Sequence, residues 1–245
     1  MLDLVWLIPA LALAGAAVNL FLGRRLGKTA GWFATALVGV GFVLAVATLV
    51  DLLGLPADQR AHVTDLFDWI SVGTFNVDVA LRVDPLSITM LLVVTGVGSL
   101  IHLYAIGYMD HDPRFGTFFA YLNLFVFFML MLVLADNYLL LYLGWEGVGL
   151  CSYLLIGFWF ERPSASSAAK KAFVTTRIGD AAMLLGIALI WLHVGSLDFG
   201  AVFGRGANEL TEGAATAIAV VVFASRRRRA ITRAEAVTAG HREAA

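Results

Sequence analysis

NYLLLYLGWEGVGLCSYLLIGFWF, residues 137–160, decides how the rest of the chain reads. A helix of about 20 mainly apolar residues crosses a bilayer, and this stretch is long enough. One carboxylic acid, Glu146, stands near its middle. An acid at that depth costs about 2.5–3.5 kcal/mol on insertion scales, so a functional reason for it is the default expectation. Gly144, Gly147, Gly149 and Ser152 surround it with small residues that admit a close neighbouring helix. Tyr138, Tyr142, Glu146, Gly149 and Tyr153 recur at spacings of three and four and share one face. That face is expected to turn toward protein or water, and the remaining Leu, Val, Phe and Trp side chains toward lipid.

The whole chain has the same character. Of 245 residues, 60% are hydrophobic and 14% charged, and the mean hydropathy is +0.84. Soluble domains run near about 45–50% apolar and 25% charged, so an integral membrane protein is predicted. The net charge of −1 gives no footprint for nucleic acid. Cys151 is the lone cysteine and can form neither an internal disulfide nor a cysteine metal site.

Upstream, residues 4–22 form a first span. Asp3 precedes it and Arg24, Arg25 and Lys28 follow, the reverse of a signal peptide, so a retained helix with its N-terminus outside is expected. Residues 31–53 return as a second span. The polar segment 54–84 holds none, but 67–83 (FDWISVGTFNVDVALRV) alternates around Val72-Gly73-Thr74 and predicts a short external hairpin. Asp84-Pro85 then starts a third span over 86–108. His102 stands near its inner end. A short polar loop containing Asp110, His111, Asp112 and Arg114 leads to a fourth span at 115–135, which contains Asn123. The connection at 136–137 is so tight that the fourth and fifth helices must be antiparallel neighbours.

Downstream, 161–171 is predicted as a cytoplasmic loop carrying Arg162, Lys170 and Lys171. A sixth span over 168–194 holds Arg177 and Asp180. An external loop is expected at 196–211, then an apolar segment at 212–224 too short to cross. Four arginines at 226–229 and a polar, Ala-rich tail end the chain.

Glu146 is the expected proton-titrating site. The plainer reading is a structural hydrogen bond between helices. Burial in apolar surroundings favours a neutral carboxyl and a nearby cation favours the carboxylate, so a movable cation would switch its proton affinity. Arg177 and Asp180, at i and i+3, can pair with each other or serve a proton route. Lys170 and Lys171 read as interfacial anchors with a share in proton access as the alternative. His102 reads as a polar contact between helices or as a relay, and Asn123 as an interhelical hydrogen-bond donor. The Asp110, His111, Asp112 group resembles a metal cluster by residue type, but a solvated turn explains it better; no metal or cofactor site is expected in this chain.

LGWEGVGLCSYLLIGF at 143–158, with Lys170-Lys171-Ala172-Phe173 and Thr176-Arg177-Ile178-Gly179-Asp180, closely resembles subunit L of NADH-quinone oxidoreductase, respiratory complex I. VDPLS at 83–87 and YAIGYM at 104–109 fit the N-terminal region of the same subunit. The resemblance implies an all-α polytopic membrane protein of about six spans and an incomplete seventh. It divides the chain into helices and loop start at 1–64, a subunit L type region at 65–115, the start of an antiporter-like proton-translocating domain at 132–224, and an atypical tail at 225–245. It implies multi-pass residence in the cell (inner) membrane beside other membrane-arm subunits, especially adjacent antiporter-like ones. NADH, FMN, iron–sulfur clusters and quinone would be held elsewhere in the complex. In that family the acid matching Glu146 pairs with a lysine on the next-but-one helix, and the residues matching Arg177 and Asp180 belong to the polar pathway. Here Phe223-Ala224-Ser225 and the arginines stand where the lysine helix is expected, a pattern resembling a frameshifted or truncated product. A multisubunit sodium/proton antiporter and a nonfunctional fragment are the competing expectations.

Overall fold

The computed structural model describes residues 1–209, and over them the chain is six long helices, a hairpin, one short α-helix and two single-turn 3-10 helices, Leu2–Leu4 and Ala57–Gln59. The helices are α1 (Leu7–Leu26), α2 (Thr29–Leu53), α3 (Pro85–Tyr108), α4 (Phe115–Leu134), α5 (Tyr138–Ile156), α6 (Pro163–Val194) and α7 (Phe199–Glu209). The first six are long and apolar enough to cross a membrane. Strands β1 (His62–Val72) and β2 (Phe75–Val83) form the one sheet among the described residues. The segment at 212–224, the arginine run and the tail at 225–245 lie outside the described residues.

The hairpin closes at Gly73-Thr74, where Val72 pairs with Phe75 and Gly73 takes a φ of 60° that suits glycine. Its first strand starts earlier than the alternation predicted, because β2 runs on to Val83 and recruits His62 as partner. Asp84 then caps α3 as read from sequence. Its carboxylate accepts from the Leu86 and Ser87 amides at 3.0 and 2.8 Å, and Ser87 Oγ accepts from the Asp84 amide at 2.7 Å. Asp84→Ala should cost about 1 kcal/mol of stability, read as a lower thermal midpoint in detergent; an unchanged midpoint would show the cap to be dispensable.

The two ends of the bundle differ in charge. One end gathers the hairpin, the chain start and the turns at 135–137 and 195–198, with the Met1 amino group on Asp51 at 2.8 Å and His62 on Asp3 at 2.9 Å. The other gathers Arg24, Arg25, Lys28 and Arg114, with Lys28 on Asp110 at 2.6 Å and Arg114 on Glu161 at 3.1 Å. In between, α1 packs chiefly on α4, α2 on α3, and α5 between α4 and α6. Large apolar side chains such as Phe21, Leu100, Leu185 and Leu192 face outward, as a bilayer requires.

Two expectations are corrected. The loop predicted at 161–171 is helical from Pro163 on: proline suits the first turn, and the Ser/Ala run after it obeys helix geometry without apolar periodicity. The loop predicted at 196–211 is helical as α7 from Phe199, because Val202 joins Ile187, Ile190 and Val194 of α6 in a buried cluster under the hairpin residue Val77.

Candidate functional site

The α5 helix is fixed at its N-terminal end before its chemistry begins. Asn137 accepts from the Leu140 amide at 2.8 Å and donates to the Asp78 carbonyl at 2.8 Å, so one side chain caps the helix and ties it to the hairpin. The Tyr138 amide donates to the Leu197 carbonyl and the Phe199 amide to the Asp136 carbonyl. The tops of α4, α5, α6 and α7 are thus stitched by backbone bonds. Beside them Arg82 reaches Asp84 and Asp136, each at 3.3 Å. Burial pushes the Asp136 carboxyl above the usual carboxylate range, and Arg82 opposes that shift.

Glu146 lies at the middle of α5, about 12 Å along the axis from Tyr138. It forms an ion pair with Arg177 of α6. The Glu146 side chain is 16% exposed and the Arg177 side chain 36%. Arg177 also lies over the Phe173 ring, 4.4 Å from its centroid. Gly149 leaves it room: a Cβ there would stand 3.9 Å from Arg177 Nη2. One residue before the acid, Trp145 Nε1 donates to Asp180 Oδ1 at 2.9 Å. A cavity of about 240 Å³ opens beside these groups, lined by Trp145, Gly149, Ser152, Tyr153, Thr176 and Asp180 among others. An acid paired with a permanent cation, next to a small space lined by a second acid and hydroxyl-bearing residues, can hold and exchange a proton.

The structure therefore brings Glu146, Arg177 and Asp180 together across α5 and α6. Trp145 was expected on the lipid side and instead reaches the site. An indole N–H inside an apolar layer needs an acceptor, and that need was the available signal. The glycines divide between two faces: Gly144 and Gly147 meet Leu132 and Phe128 of α4, and Gly149 serves the acid's face. Lys170 and Lys171 sit at exposed positions on α6, two turns before Arg177.

His102 lies elsewhere, fully buried between α3 and α4. Its Nδ1 donates to the Gly98 carbonyl at 2.8 Å, and its Nε2 meets the Asn123 side-chain amide at 3.0 Å. This is the interhelical polar contact read from sequence. Asn123→Leu leaves that ring nitrogen buried without a partner, a loss of about 1–3 kcal/mol. Thermal unfolding should show it, and His102→Leu/Asn123→Leu should recover part of the loss; equal midpoints for single and double variants would refute the coupling.

Residues 69–119 match the family model described as NADH-ubiquinone oxidoreductase (complex I), chain 5 N-terminus. Residues 135–226 match NADH:quinone oxidoreductase/Mrp antiporter, TM. NADH-quinone oxidoreductase subunit L of Mycobacterium tuberculosis (strain ATCC 25618 / H37Rv) is 48% identical over 218 residues, 89% of this chain and 34% of that protein. Subunit L of Escherichia coli (strain K12) is 49% identical over 168 residues, 67% of this chain and 27% of that protein. The chain thus spans about a third of the length of such relatives. Among solved structures, the Mrp complex from Dietzia sp. superposes with a TM-score of 0.74 at 27% identity over 89% of this chain and 22% of that one. An archaeal membrane-bound sulfane sulfur reductase shares the fold with a TM-score of 0.73 at 17% identity over 90% of this chain and 43% of that one. With six candidate spans, the VDPLS and WEGVGLCSYLLIGF strings, and both family models in order along it, the chain belongs to the subunit L (chain 5) family of antiporter-like membrane subunits of NADH-quinone oxidoreductase.

Proposed function

We propose that this chain is part of a proton-translocating membrane subunit of NADH-quinone oxidoreductase, with Glu146 as the titrating group and Arg177 as the cation that sets its proton affinity. The observation that carries this reading is the Glu146–Arg177 ion pair at the middle of two adjacent candidate spans, with a cavity beside it. Arginine stays charged under all ordinary conditions. The proton therefore resides on the acid or leaves it, and Arg177 decides which. Close to Glu146 it favours the carboxylate; drawn away, it leaves a carboxyl in apolar surroundings that takes a proton. Asp180 and Trp145 stand one step away to receive or steer it. Redox chemistry at NADH, FMN, iron–sulfur and quinone sites in other subunits would move the pair. Lys170 and Lys171 would anchor α6 at the cytoplasmic surface of the cell membrane, which places the chain start outside. The neighbours would be other membrane-arm subunits of the antiporter-like kind.

NADH-driven proton uptake by inside-out vesicles carrying Glu146→Gln tests the reading, and undiminished uptake would overturn it. The superposition on the Mrp complex supports a second reading, a subunit of a sodium/proton antiporter. Sodium-dependent proton exchange without NADH, lost in the same variant, would favour that alternative.

A further inference from the structure

At the basic end of the bundle, α4, α5 and α6 part around a cavity of about 320 Å³, separate from the one lined by Trp145 and Asp180. Arg114, the residue before α4, forms one wall. Its guanidinium carbon lies 4.9 Å from the ring centre of Phe158 and 4.9 Å from that of Phe160. Two rings hold the cation in place, and its ion pair with the exposed Glu161, at 3.1 Å, occupies Nη2. Four hydroxyl-bearing residues, Thr117, Tyr121, Tyr153 and Ser166, line the same space. None of the four hydroxyls bonds another protein group among the described residues, although all four residues are half-buried.

A fixed guanidinium and unused O–H donors on residues lining one cavity are a site for the oxygens of an anion. A phosphodiester carries one negative charge and two free oxygens, which suits one arginine and a few hydroxyls. The setting selects a lipid over a dissolved ion. The remaining walls are apolar, Phe160 and the adjoining Ile156 are exposed as a bilayer-facing surface, and aromatic rings crowd the level where headgroups lie. Arg162, Lys170 and Lys171 are exposed nearby and add attraction for an anionic leaflet.

We infer that this cavity binds the phosphodiester headgroup of an anionic phospholipid, with Arg114 on the phosphate and the four hydroxyls donating to its oxygens. Tyr153 lines both this cavity and the one beside Arg177, so the headgroup charge sits one side chain from the candidate proton site. The inference does not depend on the proposed function.

The test is native mass spectrometry of the full chain released from nanodiscs of equimolar phosphatidylglycerol and phosphatidylcholine. Phosphatidylglycerol should be retained in preference, and Arg114→Gln should cut that preference about five- to tenfold. Glu161→Gln breaks the same ion pair but removes the competing carboxylate, so it should raise retention. That opposite sign separates a binding role for Arg114 from a structural one. Equal retention of the two lipids, no change with Arg114→Gln, or lower retention with Glu161→Gln would each overturn the inference. Displacement of the lipid by excess inorganic phosphate would overturn the lipid assignment in favour of a free anion site.

Discussion

Glu146→Gln in the assembled oxidoreductase should leave NADH oxidation running while proton translocation through this subunit falls to background. Glutamine keeps the size of the acid and one acceptor for the guanidinium, but it neither charges nor titrates. It also leaves Arg177 without a counter-ion at mid-helix. Insertion scales put a lone arginine there at about 2.5–3.5 kcal/mol. At 36% exposure beside a cavity, Arg177 should fall toward the lower figure. The single variant thus loses stability as well as function, and a drop in pumping alone would be ambiguous. Glu146→Gln with Arg177→Gln resolves this: the pair is gone but no charge is stranded. The double variant should regain most of the thermal stability and none of the pumping. If it recovers both, Glu146 and Arg177 are a structural pair and another group carries the proton. If neither variant changes pumping, the site assignment falls.

Much of the fold was legible because a bilayer imposes simple demands. Each span needs a long apolar run, and the runs around 4–22, 31–53 and 115–135 show it without ambiguity. Asp84-Pro85-Leu86-Ser87 announces a helix start by local chemistry alone, and the capping box bears it out. Apolar runs say little about segments outside the membrane. The first turns of α6 and all of α7 were read as loop because Ser, Ala and Gly give no periodic signal. The start of α6 is helical by local geometry from Pro163 on, and α7 by tertiary burial, as Val202 in one cluster with Ile190 shows. At the site, spacing put Glu146 and Gly149 on one face and Arg177 near Asp180, but it could not choose partners between helices. Arg177 reaches across to Glu146, and Asp180 receives Trp145. Nothing in either sequence segment encodes the relative rotation of α5 and α6. The bonds at Asn137, Asp136 and Leu197, which tie the N-terminal end of α5 to the hairpin and to the turn after α6, constrain it.

That rotation also depends on α4, where Gly144→Ala should be the more damaging of two substitutions that look alike. A Cβ on Gly144 would stand 2.6 Å from the Leu132 backbone nitrogen and 2.7 Å from its Cα. Backbone cannot rotate out of the way, so α5 must move off α4 or the helices must bend. Overpacking of this kind costs about 1–3 kcal/mol. The same change at Gly149, five residues on, meets only Arg177 Nη2 at 3.9 Å, an ordinary contact. There alanine should be neutral or gain up to about 1 kcal/mol, because glycine is the poorer helix former. Thermal unfolding of the two variants in one detergent makes the comparison. Gly144→Ala should show the lower midpoint, with Gly149→Ala at or above the parent chain. Because Glu146 lies two residues from Gly144 on the opposite side of α5, a shift away from α4 presses the acid toward α6. Gly144→Ala should therefore disturb proton translocation in the assembled complex while Gly149→Ala, though nearer the guanidinium, leaves it close to normal. Equal midpoints would mean that α5 is not held against α4 at this point, and the helix seat proposed for Glu146 would have to come from α6 alone.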